Sequence, residues 1–225
     1  LSFITWSVTV VSFDARNPPN RLLLGPLAPF QAREGNSVTL LALGLVLFLG
    51  THLLPAVPGA RNALRQRLGP MPYRGVFSLA SLAGLVLIVV GYMNAGPREP
   101  LFAPWPAARA LAPSAMFVAF ILFAAANMRG HIRRTLRHPM LLGTLLWSGI
   151  HLLANGDRAG TLLFGAFFAW AAIDLVSAIA RGAVAQFEPE AKFDVMAIVG
   201  GALVALGVAA LHRVLFGVPV VPFGF

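Results

Sequence analysis

The sequence predicts an all-α, polytopic membrane protein of about six transmembrane helices. Three observations lead there. Of 225 residues, 58% are hydrophobic and only 11% charged, with a mean hydropathy of +0.78, a composition foreign to soluble domains of this length. The apolar residues fall in runs of about 16 to 22, enough to cross roughly 30 Å of hydrocarbon as helix. The segments between the runs are short and hold most of the arginine, and the net charge is +9. That charge pattern sets topology and meets lipid headgroups; it does not imply a nucleic-acid partner. With no cysteine in the chain, disulfides, iron–sulfur clusters and thiolate chemistry are excluded.

Residues 1–37 read differently from the rest. LSFITWSVTVVSF is too short to span and lacks a basic leader, which argues against a signal peptide. The stretch 17–35 is rich in Pro, Asn and Gly and predicts loop. The expected organisation is a poorly structured N-terminal extension over 1–37, with the character of a non-native addition, and a transmembrane domain over 38–225.

The first span covers 39–57, with His52 near its end and Pro55 and Pro58 beyond it. A basic segment with Arg61, Arg65, Arg67 and Arg74 follows; Arg61 and Arg65 share a face, as in an interfacial half-helix. Span two is 75–94, with Ser78, Ser81 and Gly84 as small packing positions. A Pro-rich connector holds Trp105, an interface anchor. Span three, 107–128, has Arg109 in its first turn and Pro113 as a candidate kink.

Span four, 139–154, lies inside the most distinctive stretch, RRTLRHPMLLGTLLWSGIHLLANGD. Pro139 suits the first helical position, which puts His138 at the cap. Gly143, Trp147, His151 and Asn155 recur every four residues and line one face. Span five, 159–180, follows a turn so short that the two helices must be antiparallel neighbours, and it carries Trp170 and Asp174. Span six, 195–215, has His212 near its end. Arg61, Arg65, Arg67 and Arg74, then Arg129, Arg133, Arg134 and Arg137, put the 58–74 and 129–138 segments on the cytoplasmic side and both termini outside.

Four ionisable side chains in the spans matter: His52, His151, Asp174 and His212. Each is costly against lipid and is expected to face the bundle or an interface. At 1.5 Å per residue, His52 and Asp174 lie within about 10 Å of the inner side, while His151 and His212 lie nearer the outer one. Asp174 is therefore a candidate to orient His52, or else a partner for Arg181 or Arg137. Imidazoles on facing helices can hold haem iron or another transition metal, or simply bond one helix to another. No phosphate loop, zinc-ligand spacing or nucleophile elbow is present.

Four segments carry a resemblance: LVLFLGTHLLPAVPGAR, MPYRGVFSLASLAGLVLIVVGY, IRRTLRHPMLLGTLLWSGIHLLANGD and FGAFFAWAAIDLVSA. With them the chain resembles the NnrU family of bacterial inner-membrane proteins, across about 38–215. That family is linked to nitric oxide and nitrite metabolism in denitrification, and it is similar to the plant 15-cis-zeta-carotene isomerases, which hold haem. The resemblance implies a multi-pass inner-membrane protein with haem b on His52 and His151. The depths of those two differ by about 10 Å, so His212 stands as the reserve ligand. Asp174, Trp147 and Asn155 are the expected surrounding residues. Ser148 stands where the isomerases have a cysteine, which removes any thiolate ligand.

Other readings stay open. One is a membrane isomerase. Another is a methyltransferase using S-adenosylmethionine, suggested by the Arg137-His138-Pro139 start, although IARGAVAQFEPEAKF lacks the FGxxYxxY pattern of those enzymes. A third is a non-catalytic assembly or sensor protein. The sequence names no catalytic residue, no redox or assembly partner, and leaves open whether the chain is an enzyme.

Overall fold

Proline sets the start of one element after another. Among the described residues eight α-helices form: α1 (Pro29–Leu53), α2 (Pro58–Leu68), α3 (Pro70–Met93), α4 (Pro106–Ala125), α5 (His131–Leu136), α6 (Pro139–Asn155), α7 (Arg158–Ala180) and α8 (Ala191–Phe216). The computed structural model describes residues 29–95, 100–218 and 220, with side chains from residue 36 onward. Pro29, Pro58, Pro70, Pro106 and Pro139 each open a helix, where the missing N–H would have no partner anyway. Five helices or helical runs are long and apolar enough to cross a membrane, among them Asn36–Ala56, which includes the end of α1. The sixth, α6, has 17 residues, at the short end of what spans.

The boundaries differ from the expected ones where polar residues extend an apolar run. Part of the expected N-terminal extension, 1–28, lies outside the described residues. From Pro29 onward the expected loop is helix instead, and α1 starts there. Gln31, Ala32, Arg33 and Glu34 are good helix formers, and Ser37 is buried. Likewise α3 starts at Pro70, five residues before the expected 75, because Gly69 takes φ +82 and lets the chain turn directly from α2 into α3.

Lipid offers helices no hydrophobic reason to associate, so close backbone approach decides which pairs form. Glycine provides it at the α1–α3 seam. A Cβ on Gly44 would stand 2.6 Å from the Ile88 nitrogen, and one on Gly84 2.7 Å from that of Phe48. On Gly91 it would collide with the backbone of Leu41. Between α4 and α8, Gly201 meets Ile121 in the same way, and between α4 and α6, Gly143 meets Phe123 and Ala119. Neighbours run in the order α3, α1, α7, α6, α4, α8, with α3 also touching α7. Among the described residues, α1 and α6 both lean on α7 without backbone contact with each other.

Hydrogen bonds show which connections share an end of the bundle. Arg181 Nη1 donates to the Ala56 carbonyl at 2.9 Å, joining the end of α7 to the turn after α1. Asp194, in the first turn of α8, accepts from the backbone nitrogens of His131 and Ile132 at 2.9 Å each and so caps α5. This basic end carries Arg61, Arg65, Arg67, Arg129, Arg133, Arg134 and Arg137. At the far end Leu101 N donates to the Gly156 carbonyl at 2.8 Å and Trp105 N to that of Leu153 at 2.9 Å. The 101–105 strap thus lies across the α6–α7 turn.

The arginine bias predicts that the basic end faces the cytoplasm. Green fluorescent protein fused within 129–138 is expected to fluoresce, and alkaline phosphatase fused within 101–104 to be active. Active phosphatase in 129–138 would invert the orientation.

Candidate functional site

The stretch from Arg137 to Asp157 is a helix with built start and stop signals. Arg137 has φ +63 and ψ −46, and His138 N donates to the Leu136 carbonyl two residues back at 2.7 Å. That is a γ-turn of the rarer, strained kind, and it reverses the chain between α5 and α6. The His138 carbonyl then accepts from Leu142 N at 3.1 Å as the helix starts. At the other end Gly156 takes φ +73 and ends α6. Asp157, 5% exposed, caps α7 by accepting from Gly160 N at 2.8 Å. The Arg-His-Pro and Asn-Gly-Asp signatures are thus first of all the two ends of one helix, α6.

Two of the three intramembrane histidines, His52 and His151, share one local geometry, with Nδ1 on the carbonyl four residues back, while His212 reaches a carbonyl beyond the end of its own helix. His52 Nδ1 lies 2.7 Å from the Phe48 carbonyl, His151 Nδ1 2.8 Å from that of Trp147, and His212 Nδ1 2.8 Å from that of Val218. A carbonyl only accepts, so Nδ1 carries the proton in each ring. In the neutral imidazole that leaves the Nε2 lone pair as the available ligand atom.

The aromatic side chains of α7 connect two of these rings. His52 stacks on Phe48 at 4.2 Å between ring centroids, with Phe77 at 5.4 Å and Trp170 edge-on at 6.2 Å. His151 lies 4.8 Å from Phe164 and 5.7 Å from Trp147. Phe167 bridges the two clusters, 6.0 Å from Phe48 and 5.3 Å from Trp147. α1 and α6 make no backbone contact with each other among the described residues, so these rings line a groove between the two helices over α7. His52 meets α7 at Trp170 and His151 meets it at Phe164. Six helical residues separate those contacts, about 9 Å along the axis. The groove therefore brings both histidines to one aromatic wall, at different heights. His212 stands across α4 from them, on α8.

Two polar atoms of α7 are buried without a partner among the described residues: Trp170 Nε1 and Thr161 Oγ1. Such atoms are rare and costly, at about 1–3 kcal/mol each. Trp170 is the more telling, because its orphaned N–H belongs to the ring beside His52.

Asp174 is engaged elsewhere than at His52. Its carboxylate lies 3.8 Å from Arg181 Nη2, and Arg181 also donates to Ser177 Oγ and to the Ala56 carbonyl. The orienting bond to His52 comes from the Phe48 carbonyl instead. Trp147 packs against His151, Phe164 and Phe167, and Asn155 is the last residue of α6. Ser148 is fully buried, and its hydroxyl donates to the Thr144 carbonyl of its own helix at 2.5 Å. Sequence reasoning named Trp170 without giving it a role. The signal was available in Phe164, Phe167 and Trp170, which recur every three residues along α7.

No group of three or more His, Cys, Asp or Glu side chains gathers among the described residues. No curated protein and no solved structure matches the chain. One family model does match, described as NnrU protein, over residues 40–220. That match covers the groove histidines, the aromatic wall of α7 and both ends of α6, and the chain belongs to the NnrU protein family.

Proposed function

We propose that this protein is a multi-pass inner-membrane haem protein, with the Nε2 atoms of His52 and His151 as the ligands of haem b. One observation carries the reading. Both imidazoles are held by Nδ1 on carbonyls of their own helices at 2.7 and 2.8 Å, which leaves each Nε2 as the free ligand atom of a ring packed beside Phe and Trp side chains of α7. Tying Nδ1 to a carbonyl fixes the tautomer and raises the basicity of the other nitrogen, as is usual for metal-ligating histidines.

The donor set fits haem better than a bare ion. A protein zinc site takes three or four side-chain ligands, and two histidines fall short of that; haem iron needs one or two. The aromatic wall suits a flat apolar macrocycle, and the orphaned Trp170 Nε1–H offers a hydrogen bond beside His52. When bound, haem supplies an iron that changes oxidation state. The protein's own part is to hold the two lone pairs, keep water from the groove and tune the iron through the hydrogen bonds on Nδ1. A role in nitric oxide and nitrite metabolism is part of the same proposal, and membership of the NnrU protein family supports it.

The test is an absorption spectrum of protein purified in mild detergent from haem-replete cells. A Soret band that shifts on reduction, with the sharp visible bands of a six-coordinate low-spin haem, is expected. A featureless spectrum across that region would sink the reading.

A further inference from the structure

A second site lies at the basic end, away from the groove. Helix α2 buries none of its residues. By the helical period Arg61, Asn62, Arg65 and Gln66 share one side, Ala60 and Leu64 lie on the other together with Arg67, and Leu68 falls at the edge beside Arg61. A short helix of this kind lies in the plane of the membrane interface. Gly69, at φ +82, then turns the chain sharply into α3. In the angle between the two helices is a depression of about 280 Å³ lined by Asn62, Arg65, Gln66 and Pro70.

The charge there is uncompensated. Arg61, Arg65, Arg67 and Arg74 are all exposed. The ion pairs among the described residues join His131 to Asp194, Arg181 to Asp174 and Lys192 to Glu190, and involve none of these four. Apolar side chains flank the depression: Leu68 is 39% and Met71 72% exposed. A soluble anion has no use for such a rim, whereas a lipid has acyl chains to lay against it.

We propose that this depression binds the phosphate of an anionic membrane lipid. Arg65 offers a planar, two-pronged donor that matches phosphate oxygens, and Asn62 and Gln66 add amide N–H groups from the same side of α2. Arg61 lies one turn away and adds attraction at longer range. The first glycerol carbons and the upper acyl chain lie over Leu68 and Met71. Occupancy fixes the angle between α2 and α3.

The site is tested with the full chain in phosphatidylcholine nanodiscs, titrated with short-chain phosphatidylglycerol and followed by native mass spectrometry. Wild-type protein is expected to retain phosphatidylglycerol in preference to added short-chain phosphatidylcholine. Arg65→Gln is expected to weaken retention about fivefold or more, given about 1 kcal/mol per basic side chain at the surface. Arg129→Gln, at the same end but outside the depression, is expected to change it little. Equal loss from both variants, no preference between the two lipids, or displacement of the lipid by millimolar inorganic phosphate would each overturn the assignment. Arg65 is exposed, so thermal unfolding of Arg65→Gln without added lipid is expected to match wild type. The haem spectrum is read separately and does not bear on this result.

Discussion

Replacing His151 with alanine is expected to leave the purified protein without haem, and His52→Ala is expected to do the same. Each variant removes an Nε2 donor whose tautomer is fixed by a carbonyl of its own helix. The loss should exceed the roughly 10–100-fold that follows removal of an outer-shell partner of a metal ligand. Trp170→Phe keeps the ring against His52 and deletes only the orphaned N–H, so a milder loss is expected. His138→Ala, at the start of α6, is expected to keep haem. Haem stoichiometry by pyridine haemochrome, beside gel-filtration profiles, separates ligand loss from misfolding. Added imidazole should restore a Soret band to His151→Ala, since a soluble ring can replace the missing one. If haem survives both histidine variants, these are not the ligands, and His212 is the next candidate, because its Nδ1 is also occupied by a backbone carbonyl, that of Val218.

Gly91→Leu is expected to be the most damaging substitution outside the groove. Any Cβ at this position meets the Leu41 nitrogen, lies 2.7 Å from the Leu41 Cα and 2.9 Å from the Ser37 carbonyl. All of these atoms belong to α1 backbone, so no side chain can swing aside. The helices must separate, and Leu41, Leu45 and Ile88, at 0%, 3% and 5% exposure, lose contacts that decay steeply with distance. Overpacking in a soluble core costs about 1–3 kcal/mol. A larger effect is expected here, because dispersion and close packing are what hold membrane helices together. Gly75→Leu is the matched control: it lies on the same helix with nothing within 4 Å of an added Cβ. Yield of monodisperse protein and apparent Tm should fall for Gly91→Leu and hold for Gly75→Leu. Equal behaviour of the two would show that the α1–α3 seam tolerates separation.

Much of the helical plan was legible in the sequence because proline and glycine punctuate it. Pro58, Pro70, Pro106 and Pro139 mark starts, and Gly156 with Asp157 marks a stop and a start together. The order of the helices was not legible. In lipid both faces of a helix are apolar: Val46 is 74% exposed and Leu41 fully buried on the same helix. Hydrophobic periodicity therefore does not say which side meets a neighbour. The seams are written in glycine, and Gly84 was readable as a packing position while its partner Phe48 was not. The histidines stood out because polar rings are rare in apolar helices. The Nδ1 contacts of His52 and His151 follow from helix geometry, but that of His212 depends on the turn after α8 and the engagement of Asp174 with Arg181 on where the 181–190 connection folds.

The position of α7 has a consequence for biosynthesis. The α1–α3 pair is complete once residue 93 has been made, and its glycine seam needs nothing further. The groove needs α7, whose last residue is Ala180, and 180 − 93 leaves 87 residues still to be translated. At 5–20 residues per second that is an interval of about 4–17 s. During it His52 and Phe48 lie on a two-helix hairpin with their α7 wall missing, and lipid or the insertion machinery must cover them. Anything that occupies the groove is therefore loaded late, after the second half of the chain has entered the membrane.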